Sequence, residues 1–407
     1  MDQNRSWSPL ASSQKWSQAM TLQPARGESE VTGINGGVGQ RVVLAEIVDC
    51  SLSLPAPVRL GDAVYASRDY VALRLVDDMG TEGFAFGYTR GTPLAATLES
   101  ILRPVVGTRV GDRQGTLQRI LSASPAVRPL LVRAASLADI ALWDLAAKHA
   151  CAPLGDLLGA TRDRVPVMPV AGYFRDVRGD ESVIEEVTEL ERRGHRQIKL
   201  MVGDLSSPKV IAFLSRARDA LGPQTRLAVD AHYSLATLPE AVRTARVLED
   251  VGVALLEDPF VPTQWRRLRE LHRGTGIELA AGEDVVDPVQ YRDLLDSVSV
   301  LRVDPTTCGG IRAALSGIEA ASLRGVAVIP HVFTGVAAQL AAAYPIVTSV
   351  EHISSESGSD PIDRYFDGEI KIEEGEAIVD RRPGVGIHLD WERLRRDATS
   401  VVRIDAA

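Results

Sequence analysis

From residue 165 onward the chain repeats one pattern, a short apolar run followed by a longer stretch whose apolar positions recur every three to four residues. The short runs fall at 165–171, 197–202, 226–230, 253–257, 278–281, 298–303, 326–330 and 348–352, and the helical stretches between them include 182–193, 208–221, 238–251 and 311–323. Eight strands alternating with helices predict a (β/α) barrel with a parallel sheet. The chain before residue 160 has a different rhythm. A β-branched strand at 42–48 precedes two strands, 70–76 and 83–88, that flank the turn residues Asp77-Asp78-Met79-Gly80 as a hairpin. Helical periodicity then covers 94–102, 117–121 and 130–150, so this part reads as a small α+β domain. Gly159 and Thr161-Arg162-Asp163-Arg164 mark the boundary. The expected division is a flexible Ser-, Gln- and Gly-rich tail over 1–40, an α+β domain over 41–160, the barrel over 161–360, and a segment over 361–407, rich in strand and turn signals, that returns to the first domain.

Three of the predicted barrel strands end in carboxylates. Arg226-Leu227-Ala228-Val229 leads to Asp230, Val253-Ala254-Leu255-Leu256 to Glu257, and Leu279-Ala280-Ala281-Gly282 to Glu283, at spacings of 27 and 26 residues. A strand, a crossover helix and two loops take roughly that length, so the three acids belong to consecutive strands whose ends converge at one mouth. Acids this close repel in a low dielectric unless a cation neutralises them, and Mg²⁺ suits a site of few carboxylates that leaves room for water and substrate. The competing expectation is three unrelated helix caps, which would carry no reason for the regular period. Later strands add Asp304, His331 and Glu351 at their ends. Neighbouring strand ends let Asp304 bond one imidazole nitrogen of His331 and turn the other toward the mouth as a base. His232, two residues after Asp230, addresses the same mouth.

Composition narrows the partners. The 407 residues are 45% hydrophobic and 24% charged with a formal net charge of −9, which disfavours nucleic acid and anionic membranes. No apolar run approaches the roughly 20 residues of a membrane span. Cys50, Cys151 and Cys308 are scattered and odd in number, as expected for a reducing cytoplasm, and give neither a disulfide framework nor a zinc site. The amino terminus lacks the apolar core of a signal peptide.

With these positions in hand, the chain resembles the enolase superfamily and, within it, the mandelate racemase-like group. The resemblance rests on Ala135-Ser136-Leu137-Ala138-Asp139-Ile140-Ala141-Leu142-Trp143-Asp144-Leu145-Ala146-Ala147-Lys148, on Asp230, on Glu257 in Leu256-Glu257-Asp258-Pro259, on Gly282-Glu283, and on His331 with Asp304 followed by Gly309-Gly310-Ile311. It implies a (β/α)7β modified TIM barrel under an N-terminal α+β capping domain that the C-terminal segment completes. It also implies Mg²⁺ held by Asp230, Glu257 and Glu283, and removal of a proton α to a carboxylate through an enediolate.

One departure is informative. Where the group carries Lys-x-Lys on the second barrel strand, this chain has Lys199-Leu200-Met201, and Met201 cannot transfer a proton. Lys199 shares its face one layer deeper and is expected either to contact the substrate carboxylate or to balance charge. Asp230-Ala231-His232 resembles acid-sugar dehydratases of the galactonate and mannonate type, which makes His232 the candidate acid. The expected function is thus Mg²⁺-dependent dehydration of an aldonate or aldarate to a 2-keto-3-deoxy acid, with His331 and Asp304 as base, His232 as acid, Glu351 and Lys199 at the substrate carboxylate, in a cytoplasmic homo-oligomer. The alternatives are a racemase or epimerase of a 2-hydroxy acid, and a non-catalytic sugar-acid-binding paralogue. Specificity is expected from cap loops at 52–65 and 88–90, and no motif encodes which sugar acid is used.

Overall fold

The computed structural model describes residues 39–60, 63–122, 128–368 and 370–406; the tail expected at 1–40 lies, up to residue 38, outside them. The chain opens with β1 (Val42–Leu60), β2 (Ala63–Asp77) and β3 (Glu82–Tyr88), paired antiparallel in registers such as Ile47↔Leu73 and Leu73↔Ala85. The β2–β3 turn forms because the Asp77 carboxylate accepts the backbone N–H groups of Met79 (3.0 Å) and Thr81 (2.9 Å). Residues 52–65, expected as a loop, are instead mostly the far half of the β1–β2 hairpin. Pairing slips between Ser53 and Val58, where Pro55 and Pro57 have no N–H to give to the ladder, and resumes at Val58↔Tyr65.

The long helix Arg128–His149 packs on this sheet and is buried on nearly every side. A Cβ at Gly83 would fall 2.3 Å from the Ala141 carbonyl oxygen, so β3 needs glycine to lie this close to the helix. The Asp144 carboxylate of the same helix accepts from Phe84 N–H (2.9 Å) and Val385 N–H (2.8 Å), with Lys148 2.7 Å away, and so ties β3 to the C-terminal segment.

Eight parallel strands follow: β4 (Arg164–Ala171), β5 (Gln197–Met201), β6 (Arg226–Asp230), β7 (Leu255–Glu257), β8 (Glu278–Ala281), β9 (Val300–Val303), β10 (Ala327–Pro330) and β11 (Val350–His352). Each pairs with the next as far as β10, and β11 pairs with β4. Val328 N–H to Ile346 carbonyl and Thr348 N–H to Val328 carbonyl, both 3.0 Å, join the approach to β11 to β10 and close the ring. Helices fill the crossovers, including three that the periodicity left unassigned. Trp265–Gly274 buries only Leu268 and Leu271 beneath many charges, Val289–Leu294 is short, and Thr334–Ala343 is buried all round and so has no polar face to reveal its period. Two 3₁₀ turns, Ser355–Ser357 and Pro361–Tyr365, follow β11 in place of an eighth helix.

The last segment divides. Its β12 (Ile372–Glu373) and β13 (Glu376–Ile378) form a hairpin on barrel strand β4, and only then does β14 (Ser400–Asp405) pair antiparallel with β1. Trp391 seals that return by donating its indole N–H to buried Glu46 at 2.8 Å. No helix among the described residues is long and apolar enough to cross a membrane.

Candidate active site

The strand register brings Met201, Asp230, Glu257 and Ala280 side by side across β5 to β8, with Glu283 just past the end of β8. Backbone strain marks this mouth. His232 (φ 45°), Tyr233 (φ 61°), Asp258 (φ 44°), Val332 (φ 37°) and Phe333 (φ 47°) are left-handed non-glycine residues just beyond strand ends, where such conformations concentrate at functional sites. Gly282, at φ 129°, turns the chain into Glu283 where a Cβ would meet the Arg302 carbonyl at 2.6 Å.

Single oxygens of Glu257, Asp258 and Glu283 lie within 4.8 Å of one another, all buried. Asp230 stands beside this group, its Oδ1 accepting the His232 N–H at 2.8 Å and its Oδ2 3.4 Å from Lys199 Nζ. Lys199 also reaches Glu257 (3.0 Å) and Glu351 (3.1 Å), and fully buried Arg302 pairs with Glu257 (2.9 Å) and Glu351. Even so, the charges do not balance locally. Burial raises Glu257 above the ordinary carboxylate range against the pull of Arg302 and Lys199. Burial, then Glu283, Glu257 and Asp230, push Asp258 well above it. Burial works the same way on Glu283, but His331, Arg90, Lys199 and Arg302 outweigh it and hold this carboxyl well below the range. Asp258 Oδ1 and Glu283 Oε2 are buried and accept no hydrogen bond from a described residue. Hard oxygen donors with unfilled lone pairs in a group this tight suit a hard divalent cation.

Across the mouth, His331 Nδ1 donates to Asp304 Oδ2 at 2.9 Å, and its Nε2 lies 3.4 Å from Glu283 Oε2. Asp304 is itself fixed, since its other oxygen accepts the Thr306 N–H and hydroxyl, both at 2.7 Å. The His232 side chain is 24% exposed, and its Nδ1 lies 4.0 Å from Asp230. Lys199, Met201, Asp230, His232, His331 and Glu351 all line one cleft, as does Glu283. Glu257, Asp258 and Asp304 lie buried behind its wall.

Two neighbours escaped the reading of the sequence, as did the partners of a third. Asp258 follows Glu257, and strict alternation sends its side chain to the far face; the left-handed φ at Asp258 turns it back into the acidic group. Arg302 was visible as a lone cation inside the apolar run Val300-Leu301-Arg302-Val303, a position rarely charged without a partner. Arg90, two residues beyond β3 in the cap segment 88–90 expected over the mouth, bonds Asp284 (2.8 Å) and Glu283 (3.2 Å), partners no local pattern signals.

Two family models match this architecture, "Enolase C-terminal domain-like" over residues 182–393 and "Mandelate racemase / muconate lactonizing enzyme, N-terminal domain" over 44–159. The chain belongs to the enolase superfamily. Among curated members of this superfamily it is 28% identical to L-talarate/galactarate dehydratase of Salmonella typhimurium over 78% of this chain and 79% of that protein. It is 25% identical to 3,6-anhydro-alpha-L-galactonate cycloisomerase of Streptomyces coelicolor over 84% of this chain and 96% of the relative. L-Talarate dehydratase of Polaromonas sp. JS666, solved with Mg and L-glucarate, superimposes with a TM-score of 0.81 at 25% identity, covering 90% of this chain and all of the other. This superfamily member is accordingly an enzyme, with relatives named as dehydratases and cycloisomerases.

Proposed function

We propose that the protein dehydrates an acid sugar to a 2-keto-3-deoxy acid with the help of Mg²⁺. The observation that carries this reading is the His331–Asp304 pair beside Glu283 of the carboxylate group, with His331, Asp230 and Glu283 lining one cleft. Asp230, Glu257 and Glu283 would hold the ion. Asp230 is preferred over Asp258 as the third ligand because it stands in register beside Glu257 on the neighbouring strand and, with Glu283, lines the cleft. When bound, the ion supplies Lewis acidity for the negative charge that builds on the substrate carboxylate as its α proton leaves.

The chain's own residues divide the remaining work. Asp304 accepts the Nδ1–H of His331, which fixes the tautomer and leaves the Nε2 lone pair to take the proton from C2. His232 gives a proton to the hydroxyl departing from C3 as water, and the enol product tautomerises to the keto acid. Lys199 and Glu351 position the substrate carboxylate, and Arg302, sealed behind them, keeps Glu351 and Glu257 in place. Racemisation would need a second base facing His331. Met201 lines the cleft but offers only a thioether, and Lys199 is engaged by Asp230, Glu257 and Glu351, so among the described residues His232 is the other candidate. The test is incubation of the purified protein and Mg²⁺ with a library of aldonates and aldarates, scored for 2-keto acid. Formation from one or a few members is expected; interconversion of C2 epimers without keto acid from any member would overturn the dehydratase reading.

A further inference from the structure

The cleft has a second pole, built by the cap. Arg68 on β2 lines the cleft, and its Nε donates to the Ser359 carbonyl at 2.9 Å. Its guanidinium carbon lies 5.6 Å from the centroid of the Tyr88 ring. Behind it the Asp360 carboxylate accepts the hydroxyls of both Tyr70 and Tyr88, which fixes the ring on which Arg68 rests. Arg68 is therefore held in one pose by its Nε and by stacking, while its two Nη nitrogens bond to none of the described residues.

The other cations of the cleft are committed. Lys199 serves Asp230, Glu257 and Glu351, and Arg90 serves Asp284 and Glu283. Among the described residues no carboxylate forms an ion pair with Arg68; Asp360 acts on its charge only from behind, both of its oxygens taken by the Tyr70 and Tyr88 hydroxyls. Asp69, the acid on the cap's side of the cleft, is exposed, and its Oδ1 accepts the hydroxyls of Ser51 (2.5 Å) and Ser67 (3.0 Å). A positioned guanidinium with two free donors facing a partly enclosed cleft matches a planar anion, and a carboxylate takes both donors at once.

We propose that Arg68 is a specificity residue that receives a second carboxylate of the substrate, so that the enzyme acts on aldarates, the sugar diacids, in preference to aldonates. This rests on the dehydratase reading, which places the first carboxylate at the barrel mouth; the second must then lie at the far end of the sugar, toward the cap. An aldonate carries a neutral hydroxymethyl group there and leaves the guanidinium without its anion, a loss that disfavours the analogue.

The test compares a six-carbon aldarate with the aldonate that differs from it only at C6, over several configurations, in the presence of Mg²⁺. The wild type is expected to favour the aldarate by about 10- to 100-fold in kcat/KM, the range for one charge-assisted pair. Arg68→Gln should bring the ratio close to one and Arg68→Lys should retain part of it. Because the ratio is taken within one protein, a general loss of folded enzyme cancels. A wild type without preference for the diacid, or an Arg68→Gln enzyme with an unchanged ratio, overturns the proposal and leaves dehydration standing. If no pair yields keto acid, the dehydratase reading fails, and calorimetric affinities of the same pairs for wild type and Arg68→Gln decide the role of Arg68. Equal or undetectable binding of the two acids by the wild type overturns it.

Discussion

Two layers of side chains inside the barrel, one step apart on the same strands, do opposite jobs. The deeper layer is hydrocarbon, with Met168, Ala228, Leu255, Ala280, Val300 and Ile329 packed together and at most 4% exposed. Two residues further along the same faces, Ala228 gives way to Asp230, Leu255 to Glu257 and Val300 to Arg302. The deeper layer stabilises by leaving water and by filling space. The upper one buries charge at a cost that only the network of Lys199, Arg302 and the acids offsets. Lys199 joins the two. Its register partner is Ala228, so its backbone sits in the hydrocarbon layer, while its long stem carries the ammonium up to the acids. A strand thus changes from scaffold to chemistry within two residues, and the change happens at the carboxyl end, where the backbone is also strained.

The sharpest way to break this division is to neutralise the upper layer. Glu257→Gln or Glu283→Gln should lower kcat/KM by about 10³-fold, the equivalent of several kcal/mol of lost charge stabilisation, and chelator should silence the wild type to a similar degree. The melting temperature of Glu283→Gln should stay within a few degrees of wild type, whereas Glu257→Gln, which leaves buried Arg302 and Lys199 short of a partner, should melt lower. Full turnover in chelator would contradict the assignment of a metal.

The mirror experiment is Leu255→Ala in the deeper layer. It should cost about 2–5 kcal/mol of unfolding free energy by denaturant titration and leave kcat within a few-fold. A large loss of kcat with unchanged stability would show that the layers are not separate in function.

The smallest effect concerns β11, where neighbouring residues face apart. Glu351 enters the charged network, while His352 is partly buried against Thr334, and burial, with a further push from His195, lowers its pKa to about 4. The unfolded chain, with histidine near 6.5, then binds more protons than the folded one between those values, so stability falls as pH drops through that window. The contribution from His352 is about 2 kcal/mol between pH 6.5 and pH 5. His352→Gln should flatten the dependence of unfolding free energy on pH there; an identical slope would place the acid sensitivity elsewhere.

What could be read from the sequence follows the same division. Asp230, Glu257, Glu283, Asp304 and His331 were legible because each closes an apolar run, the first three at a regular interval, and a strand's period fixes which face its last residue takes. Asp258 was not, because a left-handed residue suspends that period. The β1–β2 hairpin was half hidden because its prolines read as loop. Arg68 and Arg90 meet their partners across 291 and 193 residues of chain, and no local pattern carries a contact of that length.

The central claim, that His331 removes the α proton and His232 assists the leaving hydroxyl, is tested most directly by solvent exchange. In deuterated buffer with Mg²⁺ and a turned-over acid sugar, His331→Asn should abolish both keto-acid formation and exchange of the C2 proton. His232→Asn should lower keto-acid formation by about 10² to 10⁴-fold yet leave deuterium entering C2 of intact substrate. Near-native dehydration by His232→Asn, or loss of exchange in that variant with exchange preserved in His331→Asn, would contradict the account.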